Sequence, residues 1–190
     1  MNPLTMTLLI AAVLLALYVI TLYNRLVNLK HNVAMAWANI DVLLKQRHDE
    51  LPKLVEVCKQ YMNYERDTLE AVMQARQGVA DARQRQDVPA LGAAESQLRI
   101  GLGQLFAVAE AYPELRANEN FRHLETRITG LENAVADRRE FYNDSVNLNN
   151  VRIEQFPDVL IAGMFHFQPF RLLEFTEPEK QDVDLAGLFR

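Results

Sequence analysis

The chain has 190 residues, of which 49% are hydrophobic and 24% charged, a composition that excludes a fully disordered protein. Its 7 glycines and 7 prolines are too few for a turn-rich β-sandwich or barrel. The formal net charge of −5, without a basic patch, argues against nucleic acid as a partner.

The first predicted element is an apolar run from Leu4 to Leu22 that carries no charged side chain. A helix of about 19 residues would extend roughly 28 Å, enough to cross the hydrocarbon core of a bilayer. A cleaved signal peptide would need a basic n-region, and no basic side chain precedes Arg25. Residues 1–24 are therefore predicted to form an uncleaved membrane anchor.

The basic residues that flank this run predict its orientation. Arg25 and Lys30 follow the apolar run, so the positive-inside rule places the rest of the chain in the cytoplasm and the N-terminus outside. The alternative is the reverse orientation, with the rest of the chain outside.

Four helices are predicted after the anchor, because apolar residues recur with helical spacing and no segment alternates with the period of a strand. The first extends from Leu26 to Tyr61 and contains Pro52, which is expected to bend it. The second follows the polar residues 63–67 and ends before a turn at residues 84–89.

The third helix is predicted to begin near Pro89 and to be ended by Pro113. The fourth is expected to begin with Asn118 or Asn120 as its cap and to be closed by Pro157. The outer helices would be about 55 Å long and the inner two about 30 Å. These lengths favour an all-α fold with an N-terminal transmembrane helix and an antiparallel up-down four-helix bundle at residues 25–156.

This topology returns the end of the fourth helix to the membrane, where residues 156–170 form the most apolar segment outside the anchor. The segment is too short to span a bilayer, so residues 157–175 are expected either to lie in the lipid interface or to pack on the bundle. Residues 176–190 are expected to be a flexible tail. The candidate membrane-interface residues are Tyr18, Tyr23, Arg25, Lys30, Leu160, Ile161, Met164, Phe165 and Phe167.

Four charged residues fall on or beside the apolar stripes of the first and fourth helices. They either pair and fix the register of the bundle, or point to water beside the seam. This candidate structural polar cluster comprises Asp41, Arg47, Arg138 and Arg139.

The sequence contains no recognisable catalytic motif. The four histidines, at positions 31, 48, 123 and 166, form neither the one-turn pair of a zinc protease nor the Glu-x-x-His pairs of a di-iron bundle. Cys58 lies on an apolar stripe, as a buried structural thiol does. We therefore expect no catalytic residues, no metal site and no cofactor, and hence no enzyme.

Several segments together resemble the LemA family of bacterial membrane-anchored helical proteins. They include AWANIDVLLKQRHDELPKLVE at 36–56, LFAVAEAYPELRANENF at 105–121, YNDSVNLNNVRIEQFP at 142–157 and the IAGMFHF block at 161–167. The chain departs from the family pattern at Lys53, Gln60 and Leu148. The resemblance implies an N-terminal anchor and a helical bundle, without an established enzymatic activity.

These observations predict a non-enzymatic scaffold or adaptor of the bacterial cell envelope that is able to self-associate. Its location would be the plasma (inner) membrane, crossed once. The expected partners are membrane lipid, through the N-terminal helix, and other membrane or envelope proteins. The alternative is a membrane-tethered sensor or binding module for a small ligand or lipid, and the third possibility is an enzyme of unknown type.

Overall fold

The part of the chain that the computed structural model describes, residues 2–175, is all-helical and contains no strand. This result confirms the predicted all-α class, whereas the tail predicted at residues 176–190 lies outside the described residues. The helices are α1 (Pro3–Lys59), α2 (Arg66–Gln84), α3 (Val88–Ala109), α4 (Pro113–Ala117), α5 (Glu119–Glu154) and α6 (Asp158–Met164).

Helix α1 joins the predicted anchor and the first predicted bundle helix into one element of 57 residues. No glycine or proline lies between Leu4 and Asp49, so nothing local interrupts the helix where the apolar run ends. The helix also continues through Pro52. By length and composition, α1 can cross a membrane, and none of the residues in its most apolar stretch is buried.

The ends of the other helices follow local signals. Asp87 caps α3, since its side chain accepts a hydrogen bond from the Ala90 amide at 3.2 Å. Of the two predicted caps of the last long helix, Asn118 has this role, accepting from the Phe121 amide at 3.1 Å. The prediction for Pro113 was wrong: α3 ends earlier, at Ala109, and Pro113 begins α4 because a first-turn residue needs no amide donor.

The chain divides into two compact units, the first comprising the residues up to Asn39 together with Glu140–Leu172. Within this unit α5 runs antiparallel to α1. The rings of Tyr142 and Trp37 lie 5.5 Å apart, while the later residue Ile153 packs in one cluster with the earlier residues of α1. The buried members of this cluster are Leu22, Leu26, Ile153, Ile161 and Ala162.

Among the described residues, the second unit comprises Ile40–Arg139 and residues 173–175. Segments of α1, α2, α3, α4 and α5 all contribute fully buried side chains, which keep their predicted helical spacing. Examples are Leu44, Leu51, Leu54, Val72, Leu98, Leu102, Leu105, Leu115, Phe121 and Ile128.

Candidate functional site

A buried ionic cluster joins three helices of the second unit. Arg47 of α1 donates through Nη2 to both carboxylate oxygens of Glu95 on α3, at 2.5 Å each. Its Nη1 lies 3.7 Å from Oε1 of Glu132 on α5. The side chains of Arg47 and Glu95 are each 3% exposed. We call Arg47, Glu95 and Glu132 the Arg47 cluster.

The Arg47 cluster is not fully satisfied. Its distance of 3.7 Å between Arg47 and Glu132 is that of an ion pair and too long for a hydrogen bond. Among the described residues, Arg47 Nε and Glu132 Oε1 are buried polar atoms without a hydrogen-bond partner. Burial raises the pKa of Glu132 above its ordinary value, and this shift is opposed by the positive charges of Arg47 and Arg99. The cluster can therefore set helix register, but it is sensitive to loss of one charge.

The predicted polar cluster of Asp41, Arg47, Arg138 and Arg139 is distributed over several contacts. Asp41 pairs with Arg83 of α2, whose Nη2 donates to Oδ2 at 2.9 Å. The guanidinium of Arg139 lies 4.0 Å from the centre of the Phe175 ring, and Arg138 is exposed. The hydrogen bond from Arg83 holds the pKa of Asp41 below its ordinary value.

Sequence reasoning missed the partners Glu95 and Glu132, although a signal for both was present. Glu95 lies four residues after Leu91 and three before Leu98, and therefore on the buried stripe of α3. Glu132 occupies the corresponding place between Ile128 and Val135. The interrupted stripes of α3 and α5 therefore indicate two buried carboxylates, although the spacing does not show that Arg47 is their partner.

The remaining titratable groups of the second unit favour structural roles. Cys58 is fully buried, and this burial raises the pKa of its thiol to about 12, so the thiolate nucleophile is suppressed. Burial, followed by the charge of Arg76, lowers the pKa of His48, and Arg76 Nε donates to the His48 carbonyl at 2.8 Å. Over residues 2–175, no three His, Cys, Asp or Glu side chains are grouped as a metal site requires.

The candidate membrane-interface residues belong to the first unit. Arg25, Lys30 and most of the apolar members are exposed, and Phe167 is half-buried. Ile161 is the buried exception. The ring of Tyr23 lies 4.7 Å from that of Phe165 and 5.9 Å from that of Phe167, so part of α1 and the segment after α6 meet directly.

A groove of about 560 Å³ lies beside this aromatic group in the first unit. Tyr23, Lys30 and His31 line it from α1, the buried Asn149 from α5, and residues 165–170 form another wall. That wall is held in place by Asn150, whose side chain donates to the Phe170 carbonyl at 2.8 Å and accepts from its amide at 2.9 Å. The ammonium group of Lys30 lies among aromatic rings and amide groups. Such a lining suits a ligand that has one anionic group and an apolar remainder.

Comparison with known proteins bears on most of this chain. The model of the LemA family matches residues 36–186. Protein LemA of Metamycoplasma hominis is 25% identical to the chain over 87% of it and 74% of that protein.

Two further relatives are named magnetosome proteins. MamQ of Magnetospirillum gryphiswaldense is 29% identical over 50% of this chain, and MamQ 2 of Paramagnetospirillum magneticum is 32% identical over 42% of it. The matched part covers 35% and 29% of these two relatives, about a third of their length. Because the family match extends over more than half of the sequence, the resemblance seen in its motifs is confirmed: the chain belongs to the LemA family.

Proposed function

We propose that the chain is a non-enzymatic, membrane-anchored helical scaffold or adaptor of the bacterial cell envelope. The observation that carries this proposal is helix α1. Its apolar N-terminal stretch has no buried residue, yet the same helix continues without a break to residues buried in the protein, such as Leu44 and Leu54. An exposed charge-free helix in water would leave a large apolar surface unpaired, whereas a bilayer covers it.

The proposed protein crosses the plasma membrane once and holds the rest of the chain, as an antiparallel helical bundle, on the cytoplasmic side. Arg25 and Lys30, both exposed, support this orientation because cytoplasmic flanks are enriched in basic residues. The buried positions supplied by α1, α2, α3 and α5 support a bundle. The high pKa of the Cys58 thiol supports a role without nucleophilic catalysis.

A protein-binding surface is available at the turn between α1 and α2. Tyr64 in this turn is 92% exposed. Beside it lies a groove of about 560 Å³ that is lined by the half-buried Met73 and by the exposed residues Lys59, Arg66 and Glu70. Methionine adapts its shape to a partner, and tyrosine is enriched among the residues that dominate binding at interfaces. This turn is the partner-binding surface that we propose for the adaptor.

Photo-crosslinking tests this role. A photoreactive phenylalanine analogue replaces Tyr64 in one variant and Phe141, which is 54% exposed in the first unit, in a matched control. We expect the analogue at position 64, but not at position 141, to crosslink to another envelope protein or to a second copy of the chain, as identified by mass spectrometry after detergent extraction. We also expect Tyr64→Ala to lose the native complex and Phe141→Ala to keep it. A monomer that gives no adduct from either position would contradict the scaffold.

The alternative function, a binding module for a lipid or small ligand, is favoured by the groove beside Tyr23. Its occupant would be an amphiphile with one anionic group, placed near Lys30. Native mass spectrometry of protein extracted with phosphatidylglycerol tests this alternative. We expect retained lipid to decrease with Lys30→Gln and to be unchanged with Lys45→Gln, which alters an exposed lysine of the second unit. Equal retention by both variants would rule out this site.

A further inference from the structure

Helix α6 has two faces with opposite surroundings. Ile161 and Ala162 are buried in the cluster formed with α1 and α5. On the other side, one helical turn apart, Leu160 and Met164 are 62% and 68% exposed. Phe156, just before the helix, is 80% exposed. These three large apolar side chains, at positions 156, 160 and 164, are the apolar patch of α6 and the segment just before it.

The single charged residue of α6 does not contribute to this patch. Asp158 is 1% exposed, and its carboxylate accepts a hydrogen bond from Arg152 Nε of α5 at 3.2 Å. The sequence thus places its one charge on the inner side, where a guanidinium compensates it. As a result, every exposed side chain of α6 is apolar.

The position of the patch indicates what covers it. The buried face of α6 packs on Leu22, at the C-terminal end of the charge-free run of α1, and on Leu26, one helical turn later and just after Arg25. Phe165, directly after α6, contacts Tyr23. Tyrosine at the end of an apolar span is typical of the membrane interface. The patch therefore belongs to a helix that packs against the end of the proposed anchor. Arg25 and Lys30 follow the anchor in sequence and are exposed, so they could meet lipid phosphates at the same level.

We propose that α6 is a second membrane contact, lying in the interface of the same bilayer that α1 crosses. Phe156, Leu160, Met164 and Phe165 would enter the boundary between headgroups and acyl chains. The helix is roughly 10 Å long, too short to span, and so would lie on the membrane. This inference rests on the proposed anchor, since α6 meets lipid only if α1 crosses the bilayer.

Site-directed spin labelling of the full chain in vesicles of phosphatidylethanolamine and phosphatidylglycerol tests the proposal. Nitroxides are attached to Leu160→Cys and Met164→Cys, and the readout is the ratio of collision with oxygen, which concentrates in lipid, to collision with an aqueous nickel chelate. Matched controls in the same unit are Leu148→Cys, for a leucine 56% exposed, and Phe141→Cys. Cys58 is fully buried, so the unsubstituted chain serves as the labelling blank.

We expect a several-fold higher oxygen-to-nickel ratio at positions 160 and 164 than at positions 141 and 148. Equal ratios would overturn the proposal. Protection from both reagents, with dipolar broadening between labels, would also overturn it, because a second copy of the chain would then cover the patch. A label at Leu14→Cys separates the two proposals. If the label at position 14 collides mainly with the nickel chelate, both the anchor and the α6 contact are overturned. If that label collides mainly with oxygen while the labels at positions 160 and 164 collide mainly with the nickel chelate, only the α6 contact is overturned.

Discussion

At the residue scale, the buried charge of Arg47 constrains how the helices pack, because it occupies a position on an apolar stripe. Arg47 lies between Leu44 and Leu51 on the buried stripe of α1, and it is 2% exposed. Moving a guanidinium out of water is costly unless carboxylates compensate it. Glu95 and Glu132 provide that compensation from two other helices, so we expect the Arg47 cluster to favour one register of α1, α3 and α5 over neighbouring ones.

Arg47→Met should therefore destabilise the protein by about 3–5 kcal/mol, because it leaves the Glu95 carboxylate buried without a partner. Thermal or denaturant unfolding in detergent, followed by circular dichroism, measures the loss. The double variant Arg47→Met with Glu95→Leu should recover most of it, since an apolar pair needs no compensation. Lys45→Met, at an exposed position of the same helix, is the control. Unchanged melting and oligomer size of Arg47→Met would remove the register hypothesis.

Glu132 and Asp41 should give opposite pH dependences of stability. Burial holds the pKa of Glu132 above 4.5 in the folded protein. From pH 4.5 upward the unfolded chain loses this proton while the folded chain keeps it, so stability decreases as the pH rises through the folded pKa. Hydrogen bonds from Arg83 hold the pKa of Asp41 below 3.8, so its contribution is present above pH 3.8 and lost as the pH falls through the folded value.

Urea unfolding from acidic to neutral pH measures both effects by comparison with Glu132→Gln and Asp41→Asn. On acidification, the wild type should gain stability relative to Glu132→Gln and lose it relative to Asp41→Asn. The same trend for both variants would contradict the different surroundings of the two carboxyl groups.

At the element scale, two glycines of α3 form a matched pair. A Cβ at Gly92 would overlap the backbone carbonyl of Glu174, whereas a Cβ at Gly103 would meet nothing within 4 Å. Gly92 thus allows the chain around the buried Leu173 to pack against α3. This close approach is the reason for a glycine in a helix that would otherwise be more stable with alanine.

Gly103→Ala should stabilise the protein by about 0.5–1 kcal/mol through reduced backbone entropy of the unfolded chain. Gly92→Ala should have the opposite sign, because the new methyl group displaces the segment at Leu173. The melting temperature of each variant shows whether the substitution stabilises or destabilises the protein. Faster trypsin cleavage after Arg171 in Gly92→Ala, but not in Gly103→Ala, would report the displaced segment. Stabilisation by both substitutions would refute the packing role of Gly92.

At the scale of the whole molecule, the basic flank of the anchor predicts the compartment of the rest of the chain. Tyr64→Cys presents an exposed thiol, while Cys58 stays buried and unreactive. An impermeant maleimide should label this variant in inverted inner-membrane vesicles and not in intact spheroplasts. Labelling in intact spheroplasts would establish the reverse orientation.

Relocating the charges should redirect the chain. A quadruple variant moves the positive flank to the N-terminal side of the anchor by combining Arg25→Gln and Lys30→Gln with Asn2→Lys and Thr5→Lys. Because Lys and Arg bias orientation, a measurable fraction of the molecules should insert with the reverse orientation. Neutral substitutions at Asn2 and Thr5 in the native background control for altered expression. An unchanged labelling pattern would mean that the folded domain, not the flank, sets topology.

The sequence by itself determined the features that act over one or two helical turns. Helical class, the charge-free run and the buried stripes depend on spacing within a few residues and could be predicted. The same local signals narrowed the cap of α5 to Asn118 or Asn120, and the structure selects Asn118. Pro113 shows the limit of local signals, because proline suits both the end of one helix and the first turn of the next.

Only the tertiary structure decided which distant side chains meet. Arg47 and Glu95 are 48 residues apart in sequence, and the pairing of Asp41 with Arg83 spans 42 residues. Periodicity shows that each such charge lies near a buried stripe, but not which helix lies opposite. The same holds for α6: its apolar composition was evident, whereas the packing of Ile161 on α1 and the inward position of Asp158 separate its buried face from its exposed one. Such contacts depend on how complete helices pack, which no local pattern encodes.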